Sequence, residues 1–246
     1  MDWSSIAGLL IALLGILAGQ AVEGSSIWSL FQLAPFFIVV FGTLGAVLLQ
    51  SKPETFIDGL RKLRTVFFVP YDDHAELSSR ISAWSTIAKK EGALSLETYR
   101  AQETDPFILK GLQLLMDGFP AETIREICLN DLHEYEIRQR NAIKIWDSAG
   151  GYAPTIGILA AVMGLMHVME KLTDPSLIGA GIAVAFVATI YGVGLANLFF
   201  IPVATKLKAH TQAEVRKYEM VIESISRIAA GENTVIVQER LASYQR

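Results

Sequence analysis

The stretch AGGYAPTIGILAAVMGLMHVM, residues 149–169, decides the fold class of this sequence. It contains no Asp, Glu, Lys or Arg, and its length matches the roughly 20 apolar residues that a helix needs to cross a bilayer. Because the hydrocarbon core holds no water, every backbone amide must be bonded within the protein, and a helix achieves this within its own segment. The stretch therefore predicts a transmembrane helix.

Three other segments have the same character. Residues 3–22, 33–49 and 177–203 also lack Asp, Glu, Lys and Arg. The whole chain agrees with a membrane protein, since 52% of its residues are hydrophobic and only 19% are charged. We expect an all-α integral membrane protein with four transmembrane helices and a helical cytoplasmic collar.

The positions of the cations predict the orientation. Residues 51–148 carry 13 of the 21 Lys and Arg, the segment after residue 203 carries 7, and only Lys171 lies elsewhere. Cations near span ends mark the cytoplasmic side. We therefore expect a multi-pass protein of the cytoplasmic membrane, with both termini and the long loop in the cytoplasm and short outside connections at residues 23–32 and 173–176.

The pattern of the polar segments is typical of helices, because apolar residues recur three and four positions apart. Asp72 and Asp73 favour the start of one helix and Gly92 its end. From Ala121 no strong helix breaker precedes Gly150, which predicts a helix that continues into the third span. The expected parts are two spans (1–50), a cytoplasmic helical loop domain (51–148), two further spans (149–205) and a cytoplasmic C-terminal helix (206–246).

Small residues recur along one face of the third and of the fourth span. Such stripes let helix backbones approach closely, and in lipid this packing is the main attraction between helices. Contact between these two helices of one chain explains the stripes as well as the docking of a further helix does, and their parallel occurrence favours the further helix. The stripes comprise Ala153, Gly157, Ala161 and Gly164 in the third span, and Gly181, Ala185, Ala188 or Thr189, Gly192 and Ala196 in the fourth.

The spans contain no carboxylate at mid-depth, although a proton or sodium path normally needs one. Thr155, Thr189 and Tyr191 supply only hydroxyl groups. If the chain conducts ions, a partner must bring the carboxylate. The small net charge of −4 and the absence of a basic stripe argue against nucleic-acid binding, and the single cysteine excludes an intramolecular disulfide. We predict no cofactor, no metal site and no enzymatic activity, since HExxH, GxxxxGK[ST] and GxSxG patterns are absent.

Three segments resemble the MotA and PomA family of flagellar stator subunits, with a MotC-like type as the nearest variant. They are residues 89–97 (KKEGALSLE), 152–164 (YAPTIGILAAVMG) and 183–197 (AVAFVATIYGVGLAN), with Pro202 beyond. The order of two spans, a long loop, two spans and a charged tail is also similar, so the resemblance covers the full chain. It places the chain within the MotA/TolQ/ExbB proton channel superfamily.

The resemblance implies partners and residue roles. It implies a homopentamer around two single-span subunits of the MotB type, whose aspartate carries the ion and whose outer domain binds peptidoglycan. Pro154 and Pro202 would couple ion passage to movement of the collar. Lys89, Lys90 and Glu97 would contact a rotor switch protein of the FliG type.

Two alanines bear on the choice of ion. Sodium-driven members of the family have threonines at the positions of Ala161 and Ala188, in addition to one that matches Thr189. Sodium needs several oxygen ligands to replace its water, so the alanines favour protons. Together with Thr155 and Tyr191, these residues form the predicted ion path and partner-facing surface.

Two alternatives remain at this point. An energiser of the ExbB or TolQ type would use the same physics to drive outer-membrane processes, and it would have three spans with its N-terminus outside. A membrane scaffold without ion flux would tolerate substitution of Thr189 and Pro154.

Overall fold

The computed structural model describes residues 3–24, 26–68, 74–170 and 175–244. Every regular element among these residues is helical, which confirms the predicted all-α class. Four helical stretches are long and apolar enough to cross a membrane. The helices are α1 (Trp3–Val22), α2 (Leu33–Gln50), α3 (Pro53–Phe67), α4 (His74–Glu91), α5 (Glu97–Arg100), α6 (Pro106–Met116), α7 (Ala121–Glu170), α8 (Pro175–Leu195), α9 (Ile201–Ala229) and α10 (Thr234–Tyr244), with 3₁₀ turns at Ile27–Leu30 and Ala93–Leu96.

Two helices are continuous over great lengths, as the sequence predicts. Helix α7 has 50 residues, so the third span and the polar segment before it belong to one continuous helix. A π-helical turn, Ala196–Phe200, joins α8 directly to α9. The fourth span therefore also extends into the charged segment that follows it.

The chain divides into two compact units. The membrane unit comprises residues 1–69 and 140–208, and the collar unit comprises residues 70–139 and 209–246. In the membrane unit the buried face of α2 repeats every four residues, and α1 has no buried residue at all. The core of this unit therefore forms between α2, α3, α7, α8 and the start of α9. Its buried members include Val47, Val66, Ile143, Trp146, Ala153, Ala196, Phe200, Val203 and Leu207.

The collar unit has a conventional apolar core. It is built from the helices α4, α6 and α10, the N-terminal part of α7 and the C-terminal part of α9, and it includes Leu77, Ile81, Trp84, Ile108, Leu112, Ile124, Met220, Ile225 and Leu241. Local chemistry sets where these helices begin. The Asp105 side chain accepts a hydrogen bond from the Phe107 backbone N–H at 2.9 Å, and Pro106 fills the first position of α6, where no N–H is needed.

Glycines with positive φ end two of the helices. The C-terminal segment contains two helices, because Gly231 adopts a φ of 71° and ends the run that begins in α9. Gly92 ends α4 as predicted, with a φ of 87°. Asp72, Asp73 and Lys171 lie outside the described residues, as do residues 173 and 174 of the predicted outside connection, while Pro175 and Ser176 begin α8.

Candidate functional site

The small-residue stripes of α7 and α8 face each other within this chain. A Cβ atom placed on Gly157 would lie 3.0 Å from both the Ala188 carbonyl oxygen and the Gly192 Cα. A Cβ on Gly192 would lie 2.6 Å from the Ala153 carbonyl oxygen. The two backbones are thus in direct contact at Gly157 and Gly192, so contact within this chain, and not the favoured docking of a further helix, explains the stripes at these positions. A short connection between two spans makes them natural antiparallel neighbours, and their small residues are used in that packing.

The two predicted alanines differ in their surroundings. Ala188 is completely buried and packs with Val39 of α2 and Ala160 of α7. Its side chain cannot face a partner, so that part of the predicted surface is corrected. Ala161 is only half-buried at the edge of the same cluster. It remains accessible from outside the chain.

The two predicted threonines keep their hydroxyl protons on their own helices. Thr189 Oγ1 lies 3.4 Å from the Ala185 carbonyl oxygen and is half-buried. Thr155 Oγ1 donates to the Tyr152 carbonyl oxygen at 2.8 Å and is exposed. A hydroxyl that donates to its own helix keeps its lone pairs for another donor. Either oxygen can therefore accept a hydrogen bond from water or from a protonated carboxyl group.

Tyr191 has a different role from the one expected. Its hydroxyl donates to the Leu30 carbonyl oxygen and accepts a hydrogen bond from the Gln32 backbone N–H at 3.1 Å. Its ring meets Phe36 edge to face, with centroids 6.1 Å apart. The phenol therefore fastens the connection between α1 and α2 to α8. Nothing in the sequence around Tyr191 indicates this long-range contact.

The two prolines lie inside continuous helices. Pro154 is in the interior of α7, where it removes the hydrogen bond to the residue four positions earlier. Pro202 is the second residue after the π turn, which closes with a hydrogen bond from the Ile201 N–H to the Ala196 carbonyl oxygen. The wider turn therefore ends two residues before the proline, whose nitrogen carries no donor. A π turn inside an α-helix is common at functional sites, and sequence reasoning did not predict this one.

The charged residues of the segment 89–97 are exposed on the collar unit. Lys89 and Lys90 lie in the last turn of α4 and Glu97 begins α5, with Gly92 and a 3₁₀ turn between these helices. The Lys89 ammonium group lies 3.5 Å from the Asn233 side-chain oxygen, just before α10. These residues present two cations and an anion to a partner. None of the predicted charges is used in the core of the unit.

Two side chains in and beside the apolar core of the collar unit have raised pKa values. Burial raises the pKa of the Cys128 thiol, and the nearby Asp131 carboxylate raises it further while Lys110 opposes the rise. Burial and a hydrogen bond to Glu214 raise the pKa of Tyr135 well above its ordinary range. Among the described residues no cluster of His, Cys, Asp and Glu could hold a metal ion.

Sequence reasoning also missed a contact that joins α3 to α7. Trp146 is 6% exposed, and its indole N–H donates to the Gly59 carbonyl oxygen at 2.9 Å. A Cβ on Gly59 would lie 2.6 Å from the Ala142 carbonyl oxygen, so α3 can approach α7 only because this residue is glycine. The apolar periodicity of α3 indicated a helix but not its neighbour.

Known proteins are similar to this chain over its whole length. The sequence model of the MotA/TolQ/ExbB proton channel family matches residues 100–220. Motility protein A of Treponema phagedenis is 35% identical over 245 residues, which cover 99% of this chain and 94% of that protein. The structure of C. jejuni MotAB has a chain that superposes with a TM-score of 0.94 at 27% identity, covering 99% of this chain and 96% of that one. The flagellar MotAB stator complex from Bacillus subtilis gives a TM-score of 0.90 at 30% identity, covering 100% and 96%.

Proposed function

Because the chain belongs to the MotA/TolQ/ExbB proton channel family, we propose that it is the A-type stator subunit of a bacterial flagellar motor. The observation that carries this function is the full-length similarity to flagellar MotAB structures. The family resemblance in residues 89–97, 152–164 and 183–197 is thereby confirmed. With a MotB-type partner the subunit forms a proton channel that couples ion flow to torque.

The partner must supply the ion-carrying group. The four spans contain no carboxylate, and the hydroxyl groups of Thr155 and Thr189 cannot bind and release a proton at neutral pH. A charged aspartate at the centre of a membrane helix costs about 2.5–3.5 kcal/mol, and one charge falling through 100 mV releases about 2.3 kcal/mol. The two energies are similar, so protonation can shift how the partner helix packs against this subunit.

Protons are the proposed ion. Thr189 offers one half-buried hydroxyl, whereas Ala161 and Ala188 offer no oxygen ligand. A sodium ion needs several oxygen ligands to replace its water, while a proton can pass through a carboxyl group and water. Thr189 and the exposed Thr155 would accept hydrogen bonds from the partner's protonated carboxyl group or its water.

The subunit is proposed to lie in the cytoplasmic membrane with both termini in the cytoplasm. The bias of Lys and Arg toward residues 51–148 and the C-terminal segment supports this orientation. Lys89, Lys90 and Glu97 would then be available to a rotor protein of the FliG type, since all three are exposed. Binding between these residues and the rotor protein should weaken as the salt concentration rises, because salt screens exposed charges.

Coupling is proposed to run through the two prolines. Pro154 removes one backbone hydrogen bond of α7, and Pro202 follows a turn of altered pitch in the helix that carries Thr189. Both features weaken the helix at one point without ending it. A change of packing around Thr189 could therefore bend these helices.

A homo-oligomer, and by family resemblance a pentamer, would cover the remaining apolar surface. Ile158, Met166 and Phe186 are 57%, 60% and 68% exposed on α7 and α8. Lipid, other copies of the chain and the partner helix are the available neighbours for such side chains. The small-residue seam between α7 and α8 is already filled, so partners would meet these larger residues.

A complementation experiment tests the function. The chain and its MotB-type partner are expressed in a motile bacterium whose own stator genes are deleted, and swimming speed is recorded in sodium-free medium. Swimming that stops on addition of a protonophore is expected. Swimming that persists under full proton uncoupling would contradict the proton assignment, and failure to swim with correctly inserted protein would contradict the stator assignment.

Two variants sharpen this experiment. Thr189→Val keeps the shape of the side chain and removes its hydroxyl, and we expect it to abolish swimming while the protein still inserts. Val193→Thr, one turn along the same helix on an exposed position, is the matched control and should swim normally. Equal swimming by the two variants would remove Thr189 from the proposed ion path.

A further inference from the structure

A cavity of about 290 Å³ lies within the membrane unit, between α1, α3 and the π turn with the first residues of α9. Helix α1 has no buried residue, and the cavity lies where this helix approaches the rest of the membrane unit. Gly8, Asn197 and Pro202 line it and are exposed, which opens the cavity to the surface of the chain.

The walls of the cavity are apolar and one end is cationic. Leu9, Val66 and Phe199 contribute to the walls, and Lys206 and Ser5 lie at the end. The Lys206 ammonium group donates a hydrogen bond to the Ser5 hydroxyl, so a positive charge is held at a defined position. An ammonium group has three donors and remains a strong attractor of anions.

In the proposed orientation, with both termini in the cytoplasm, the cavity adjoins the inner leaflet of the membrane. Ser5 lies near the N-terminus, and Lys206 follows the fourth span. Basic pockets between membrane helices on the cytoplasmic side bind the headgroups of anionic lipids. The volume is at the lower limit of small-molecule sites, which suits a segment of one acyl chain and is too small for a helix.

We propose that this cavity binds an anionic phospholipid of the inner leaflet. Its acyl chain occupies the space between α1 and the π turn, and its phosphate group binds the Lys206 ammonium group. The inference rests on the proposed orientation and not on ion conduction. It also places a lipid chain against Pro202, one of the residues proposed to couple ion passage to movement.

Photochemical labelling tests the site. The full-length complex with its MotB-type partner is reconstituted in nanodiscs containing phosphatidylglycerol with a diazirine on its acyl chain, and labelled peptides are mapped by mass spectrometry. Labelling of peptides containing Gly8–Ala12 and Asn197–Val203 is expected. The same diazirine on phosphatidylcholine should label these peptides severalfold less, since it lacks a net negative charge.

Three variants distinguish the headgroup contact from the cavity. Lys206→Gln should lower labelling by phosphatidylglycerol about fivefold, because one cation near a membrane surface typically raises the affinity for anionic lipid by about this factor. Lys208→Gln is the matched control and should label normally, because Lys208 pairs with Asp147 at 2.6 Å and does not line the cavity. Gly8→Leu should abolish labelling, because a Cβ at this position meets no atom within 4 Å and the larger side chain would fill the space.

Several results would overturn the proposal. Equal labelling by the two lipids in the unaltered complex would show that the cavity does not select an anionic headgroup. This comparison needs no variant. Absence of label from both peptides would mean that another copy of the chain or the partner covers the cavity. The labelling does not depend on swimming, so a complex that labels as expected but does not restore motility would refute the stator function and leave the lipid site standing.

Discussion

Tyr191 in α8 and Leu30 before α2 are joined by a hydrogen bond from the phenol to the backbone carbonyl oxygen. The same phenol oxygen accepts the Gln32 backbone N–H at 3.1 Å. One side chain thus satisfies two backbone groups of the connection between α1 and α2. Thr189, the proposed ion-path residue, is two positions away on the same helix, so this clamp also fixes the local position of α8.

Tyr191→Phe removes the hydroxyl and should lower the free energy of unfolding by about 1 kcal/mol. Amide hydrogens near Gln32 should exchange faster with solvent, as measured by hydrogen exchange on the purified complex. Tyr152→Phe is the control, since its hydroxyl bonds to the Gln50 side chain at 3.0 Å on the exposed surface. An equal effect of the two substitutions would show that the clamp does not hold the connection.

Gly192→Ala should force α7 and α8 apart. The new Cβ would lie 2.6 Å from the Ala153 carbonyl oxygen, and backbone atoms cannot move aside as a flexible side chain does. We expect a loss of about 1–3 kcal/mol in the free energy of unfolding. Gly194→Ala on the same helix meets no atom within 4 Å and should be neutral or slightly stabilising in a thermal unfolding measurement. Equal stability of the two variants would contradict the close packing at Gly192.

Pro202→Ala should separate stability from function. Restoring an N–H in the helix favours regular α geometry, by up to about 3 kcal/mol, so the complex should unfold at a higher temperature. If the weakened turn is needed for coupling, swimming should nevertheless be lost. Pro53→Ala, at the first position of α3 where proline costs nothing, should change neither property. Normal swimming by the Pro202→Ala variant would exclude this residue from coupling.

Cys128 should react slowly with maleimide in the folded collar unit. It is 3% exposed, and burial together with the Asp131 carboxylate raises its pKa, so less reactive thiolate is present at any pH below 9. Above its ordinary pKa of 9.0 the unfolded chain releases this proton first, and the free energy of unfolding should therefore fall as pH rises.

The measurement is the rate of alkylation from pH 7 to pH 9, before and after unfolding in detergent. Asp131→Asn removes the negative charge and should accelerate the native reaction. Glu126→Gln changes an exposed acid on the same helix and should leave the rate as it was. A native rate as fast as the unfolded one would show that Cys128 is not buried in solution.

The sequence predicted the helices well because the bilayer imposes simple requirements. The predicted first span, residues 3–22, coincides with α1, since charge-free length alone defines a membrane helix. The continuous helix α7 was also predictable, because its apolar pattern has no strong breaker before Gly150. Helix α10 was not predicted as a separate helix, since the left-handed conformation of Gly231 is visible only in the structure.

The site was less predictable because the residue pattern of one helix does not show which other helix it packs against. The stripes around Gly157 and Gly192 indicated close packing but not with which helix. Tyr191 was assigned to the ion path because it supplies a hydroxyl group within the span, whereas this hydroxyl is used in a contact with a residue 161 positions earlier. Ala188 was assigned to the same surface, yet Val39 of a different span covers it.

The π turn at Ala196–Phe200 holds one residue more than a regular turn, and its wider winding accommodates this residue without changing the direction in which the later residues face. Ala188 and Gly192 are buried before the turn, and Val203 and Leu207 are buried after it. Deleting one residue from the turn would therefore restore α geometry and leave the later residues on their present faces. Deleting one residue from the regular helix that follows would instead rotate the residues beyond the deletion by about 100° around the helix axis, and the buried face of α9 would turn toward solvent or lipid. The turn is thus the place in this helix where the chain should tolerate the loss of one residue.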